Sequence, residues 1–147
     1  MDDVSLKNPG ELGARLALGQ GLRLLLVDAP ASLEQLLSRA RPPETLSAVC
    51  GSALRSVKER FDAILVWRED RVGSRSLFEA LLKRLEPSGV LWVITAMKKV
   101  IGPATPAAHR LELSDLVKAF EREGLSYDRE TRVSAWHVGY RFVRSQR

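Results

Sequence analysis

The chain has 147 residues, 45% hydrophobic and 28% charged, the scale of one compact domain with a sizeable core and no second one. No apolar run approaches the roughly 18 to 20 residues of a membrane span, the first residues carry two acids where a signal peptide would be apolar, and a lone cysteine excludes an internal disulfide and a cysteine-built metal site. A cytoplasmic protein is expected, and the net charge of +5, spread along the whole chain, is a modest bias toward phosphate-bearing partners.

Residues 1–10 read as a frayed end, ahead of a short helix over 11–18 that Gly19 and Gly21 stop. The run LRLLLVD at 22–28 is apolar at nearly every position, the pattern of a parallel strand covered on both faces. Pro30 cannot donate to a ladder and suits a first helical turn, so the strand ends near Asp28 and a helix follows over 31–40. Residues 41–44, RPPE, break it. A short β-like run at 45–50 and weak helical spacing over 52–60 come next, with Cys50 expected as a small core residue.

FDAILVW at 61–67 is a second buried strand, after which Ser76 and Glu79 have the spacing of a capping box. Leu77, Phe78, Leu81, Leu82 and Leu85 make a helical apolar stripe, and EPSG turns the chain into a third strand, VLWVIT at 90–95. Residues 96–110 have no periodicity and hold Gly102, Pro103 and Pro106, so a long loop is expected. A last helix over 113–124 stops at Gly124, and two β-like runs over 125–134 and 137–144 form an antiparallel pair. Strands alternating with helices predict a single-domain α/β fold: a doubly wound, mostly parallel, Rossmann-like sheet with a C-terminal antiparallel strand pair.

The succession FDAILV, LFEALLKRLEPSGVLWVIT and DLVKAFEREGLSYDRETRVSAWHVGYRFV resembles the second half of class I S-adenosylmethionine-dependent methyltransferases, over 61–143. In those enzymes a strand beginning Phe-Asp, a helix ending Leu-x-Pro-x-Gly, an apolar strand and a late glycine recur in this order. The first half departs from the pattern. Their first strand leads into a glycine-rich turn and their second ends in an acid for the ribose hydroxyls; here the turn is Asp28-Ala29-Pro30, and 31–60 is too short for the usual two further strands. Only a residue without Cβ allows both positive φ and close approach of a ligand to the backbone, and Ala29 and Pro30 supply neither.

Over 18–143 the chain is also similar to domain-of-unknown-function family 3052, bacterial proteins that resemble degenerate methyltransferases. The shared features are a first strand ending in Asp-Ala-Pro, FDAILVW, GVLWVIT followed by Lys98 and Lys99, and Trp136 ahead of GYRFV. Met97 stands where that family has the proline of Trp-Pro-Lys-Lys. The resemblance implies a methyltransferase-like fold and no established activity, and with the glycine turn absent no cofactor is expected.

No catalytic residue or metal site emerges: His109 and His137 are far apart, and neither has metal-ligand spacing or an evident nucleophile beside it. Asp28, at the carboxyl end of strand one, is either a ligand contact or a cap for the Pro30 corner. Arg68 and Arg71 follow the second strand and Lys98 and Lys99 the third, so neighbouring parallel strands would project both groups from one sheet edge. With Trp67 beside them they form a candidate ligand or anion site; the alternative is a solvated rim whose field Glu69 and Asp70 offset. Three functions are weighed. A non-catalytic methyltransferase-like domain that binds another protein, or itself, accounts best for a kept sheet and a lost glycine turn. A binder of phosphate-bearing ligands or nucleic acid through the basic rim comes second, and an active methyltransferase with an altered cofactor site third.

Overall fold

A computed structural model describes residues 6–16, 21–39, 43–98, 100, 103 and 105–144. Among them, in chain order, are α1 (Pro9–Leu16), β1 (Leu24–Val27), α2 (Ala31–Arg39), β2 (Leu46–Val49), β3 (Phe61–Trp67), α3 (Ser74–Leu82), β4 (Leu85–Ala96), α4 (Leu113–Glu121), β5 (Leu125–Arg132) and β6 (His137–Arg144). The strands form one sheet in the order β2-β1-β3-β4-β6-β5, parallel from β2 to β4 and antiparallel where β6 joins β4 and β5 joins β6. This is a mixed, mostly parallel, doubly wound α/β sheet. No helix among the described residues is long and apolar enough to cross a membrane.

Continuous apolar runs become central strands because both sheet faces are covered. Leu25, Val27, Ile64, Val66, Leu91 and Val93 face one core, closed by Phe78 and Leu81 of α3 and Leu116 and Phe120 of α4. Leu24, Leu26, Leu65, Trp92 and Ile94 face the other, closed by Leu12 and Leu16 of α1 and Leu33 and Leu37 of α2. Each such side chain contributes about 1.5–3 kcal/mol on burial, so neither helical layer is dispensable. Trp92 has no exposed surface, and its indole N–H donates to the Leu16 carbonyl at 3.0 Å, tying α1 to the sheet.

Several expectations change. Of the expected frayed end, residues 1–5 lie outside the described residues, and 6–10 are held: Leu6 bridges Ser134, the Lys7 amide donates to the Val133 carbonyl, and α1 begins at Pro9. Leu85 belongs to β4, with a register shift in its pairing to β3 between Phe61 and Ala63. Ser76 and Glu79 form no capping box. Gly73 in the left-handed region (φ 76°) caps α3 three residues earlier, so Ser76 Oγ turns to the Gly73 carbonyl and Glu79 pairs with Arg75 at 3.4 Å. Between α2 and β3 the described residues hold one strand and two 3-10 turns, Pro43–Thr45 before it and Gly51–Ser56 after it.

Candidate functional site

The carboxyl ends of β1, β2, β3 and β4 share one edge of the sheet, where α/β folds place their ligands. The turn after β1 needs a left-handed residue, and Asp28 supplies it with φ 56°. Aspartate tolerates that region better than most residues because its short side chain can bond locally. The carboxylate then crosses to the end of β2: Oδ1 accepts the Gly51 amide at 2.9 Å, while the Asp28 amide donates to the Val49 carbonyl at 2.9 Å. A Cβ on Gly51 would lie 2.8 Å from Asp28 Oδ2, so the two turns are in direct contact. β2 runs into Cys50 and Gly51, without an acid at its end. Cys50 is exposed and not a core residue, since β2 is the edge strand of the sheet; its thiol lies 3.1 Å from the Ser52 hydroxyl, whose hydrogen bond is the leading cause of a lowered pKa.

Arg68, Arg71 and Lys98 lie at one edge, since β3 and β4 are parallel neighbours, but each of the three is engaged internally. Arg68 donates through Nε to the Asp70 carbonyl at 2.8 Å and through Nη2 to that of Val72, holding the β3–α3 loop. Arg71 reaches the Ala108 carbonyl at 2.8 Å, and Lys98 pairs with Glu112 at 3.0 Å. Lys99 lies outside the described residues. Trp67 is half-buried, its ring 4.5 Å from that of His137. A cavity of about 450 Å³ remains between the 3-10 turn and α3, lined by Asp28, Cys50, Arg55 and Arg68 beside Leu77 and Ala80. It gathers two of the expected residues; Trp67, Arg71 and Lys98 lie outside its lining.

A polar cluster that the sequence does not announce sits beside them. His137, 3% exposed, bridges Ser134 Oγ at 2.8 Å from Nδ1 and Glu69 Oε2 at 2.6 Å from Nε2. The hydrogen bond from His137 holds the Glu69 carboxyl below its ordinary pKa. Ser134 Oγ also accepts the Trp136 amide at 3.1 Å and is itself buried, so the group joins the β5–β6 turn to the β3–α3 loop and offers no accessible nucleophile. Arg110, 5% exposed, donates to the carbonyls of Met97, Val100 and Thr105 at 2.8 Å and Lys98 at 3.1 Å, fixing the loop after β4. Glu69 and His137 are 68 positions apart, so no local motif could have revealed that pair. No group of three or more metal-ligating side chains occurs among the described residues.

The large apolar side chains most exposed among the described residues, Val72 at 67% and Trp136 at 44%, lie in the loop after β3 and the β5–β6 turn, at this same edge.

No family model matches the chain, and no curated protein matches it. Solved structures do. A SAM-dependent methyltransferase from Aquifex aeolicus superposes with a TM-score of 0.66 at 15% identity, covering 92% of this chain and 89% of that one. The ribosomal protein L11 methylase from Lactobacillus delbrueckii subsp. bulgaricus gives 0.64 at 14% identity, covering 94% and 77%. The glycopeptide N-methyltransferase MtfA complexed with S-adenosyl-L-methionine gives 0.59 at 15% identity, covering 98% and 88%. At such identities the likeness is one of fold.

Proposed function

We propose that this chain is a non-catalytic methyltransferase-like domain that has lost its cofactor site and acts by protein–protein interaction, in keeping with its resemblance to domain-of-unknown-function family 3052. The observation that carries this reading is Asp28: its carboxylate crosses to the Gly51 amide, at the turn where the resembling enzymes use glycines to admit the cofactor to the backbone. S-adenosylmethionine does not fit the residues present. Asp28 adds a carboxylate at the first turn, and Cys50 follows β2 where an acid would take the ribose hydroxyls. Val72 and Trp136 are apolar side chains exposed at that edge and available to a partner.

The alternative of an anion site on Arg68, Arg71 and Lys98 has weaker support, since each is already committed to a carbonyl or to Glu112. Calorimetric titration with S-adenosylmethionine and with inorganic phosphate tests both alternatives. The expected result is no saturable heat from either; saturable heat with S-adenosylmethionine overturns the reading, and with phosphate it restores the anion site.

A further inference from the structure

The sheet ends differently on its two sides. β5 carries Asp128, Arg129, Glu130 and Arg132 and a register irregularity between Tyr127 and Arg129, devices that keep a free edge from pairing. β2 has none of them. Its four residues, Leu46-Ser47-Ala48-Val49, contain no charge and no proline, pair with β1 in unbroken register, and leave Ser47 and Ala48 exposed. The ladder fixes which backbone groups are free: the Val49 carbonyl accepts from the Asp28 amide beside β1, so the groups of Val49 and Ser47 point inward and those of Leu46 and Ala48 point away from the sheet.

We propose that β2 pairs antiparallel with β2 of a second copy of this chain, joining the two sheets across a two-fold axis at Ser47. In this register Leu46 of one copy and Ala48 of the other face each other and exchange both backbone hydrogen bonds, so every outward group of the strand is satisfied. Side chains agree with the register. Leu46 packs on the α1–α2 side of the sheet, Ala48 shares that face, and their pairing continues the apolar layer. The two Ser47 hydroxyls meet at the close, non-hydrogen-bonded position, where such groups pair favourably.

Charge favours a second copy as the occupant. Glu44 precedes the strand and Arg55 follows it, both exposed and in no ion pair among the described residues. Antiparallel pairing sets Glu44 of each copy opposite Cys50 of the other, where the turn that carries Arg55 begins. The strand itself is neutral, so no like charges oppose each other across the ladder. A four-residue ladder is a small interface, so the dimer is a weak one.

Sedimentation equilibrium of the full chain tests the pairing. The expected result is a monomer–dimer equilibrium with a Kd on the order of 10 µM. Ala48→Lys should weaken it at least about ten-fold while leaving the thermal midpoint of the monomer in place. In a Cys50→Ser background, Ser47→Cys should give a disulfide-linked dimer on oxidation, because facing Cα atoms at such a position are about 4.5 Å apart, within disulfide reach. A wild-type chain that stays monomeric up to about 100 µM, ten times that Kd, overturns the proposal. So does a dimer that survives Ala48→Lys and is lost with Arg129→Glu on β5. The pairing is independent of the crevice: a dimer that also binds S-adenosylmethionine upholds it while contradicting the proposed loss of the cofactor.

Discussion

Asp28 carries two loads, a left-handed backbone and a carboxylate that bonds the next turn, and Gly51 is the residue that lets it do so. Gly51→Ala places a methyl 2.8 Å from Asp28 Oδ2 and should destabilise the fold by about 1–3 kcal/mol. In an Asp28→Ala background the clash disappears, so denaturant titrations of the four variants should give clearly non-additive stabilities. Glu69 makes a prediction in pH. Its carboxyl is held below the usual carboxylate range chiefly by the hydrogen bond from His137. A depressed folded-state pKa contributes stability that is fully present above the unfolded value and is lost as pH falls through the folded one. The thermal midpoint of the wild type should therefore drop with acidification below the ordinary glutamate value of 4.5, and Glu69→Gln should flatten that part of the profile. The same variant should cost about 1–3 kcal/mol at neutral pH, since it leaves His137 without its carboxylate partner.

At the scale of elements, strands were legible where burial on both faces writes a continuous apolar run: residues 61–67 coincide with β3, and 22–28 contain β1. The start of α3 was not legible. Ser76 and Glu79 satisfy the local rule for a cap, but Arg68 binds the Val72 carbonyl and Gly73 turns left-handed, so the helix starts at Ser74. Gly73→Ala should then cost about 1 kcal/mol in chemical denaturation, although Gly73 is exposed and its added Cβ would meet no atom closer than 3.5 Å. The loop after β4 reads as aperiodic because a single buried side chain organises it. Arg110→Ala removes four bonds to carbonyls and should lower stability by about 1.5–3 kcal/mol. Faster amide exchange at Met97, whose N–H donates to the Trp136 carbonyl, is the accompanying local sign. The shared edge of Arg68, Arg71 and Lys98 followed from strand adjacency, whereas their engagement with Ala108 and Glu112 follows from contacts that no periodicity records.

On the scale of the whole molecule, the fold is that of methyltransferases while the crevice between β1 and β2 is bridged from within. Topology places a ligand edge on any such sheet, but the residues at that edge decide what it does. Here they bond to one another: Asp28 to Gly51, Lys98 to Glu112, Glu69 to His137. Thermal unfolding of the purified chain with S-adenosylmethionine and S-adenosylhomocysteine tests the proposed loss of the cofactor site. A ligand present at about 100 times its Kd adds about 2.7 kcal/mol and moves the midpoint of a domain this size by several degrees. With the site lost, the midpoint stays unmoved at millimolar ligand; a dose-dependent rise would mean that Asp28 swings away to admit the cofactor and that the site is kept.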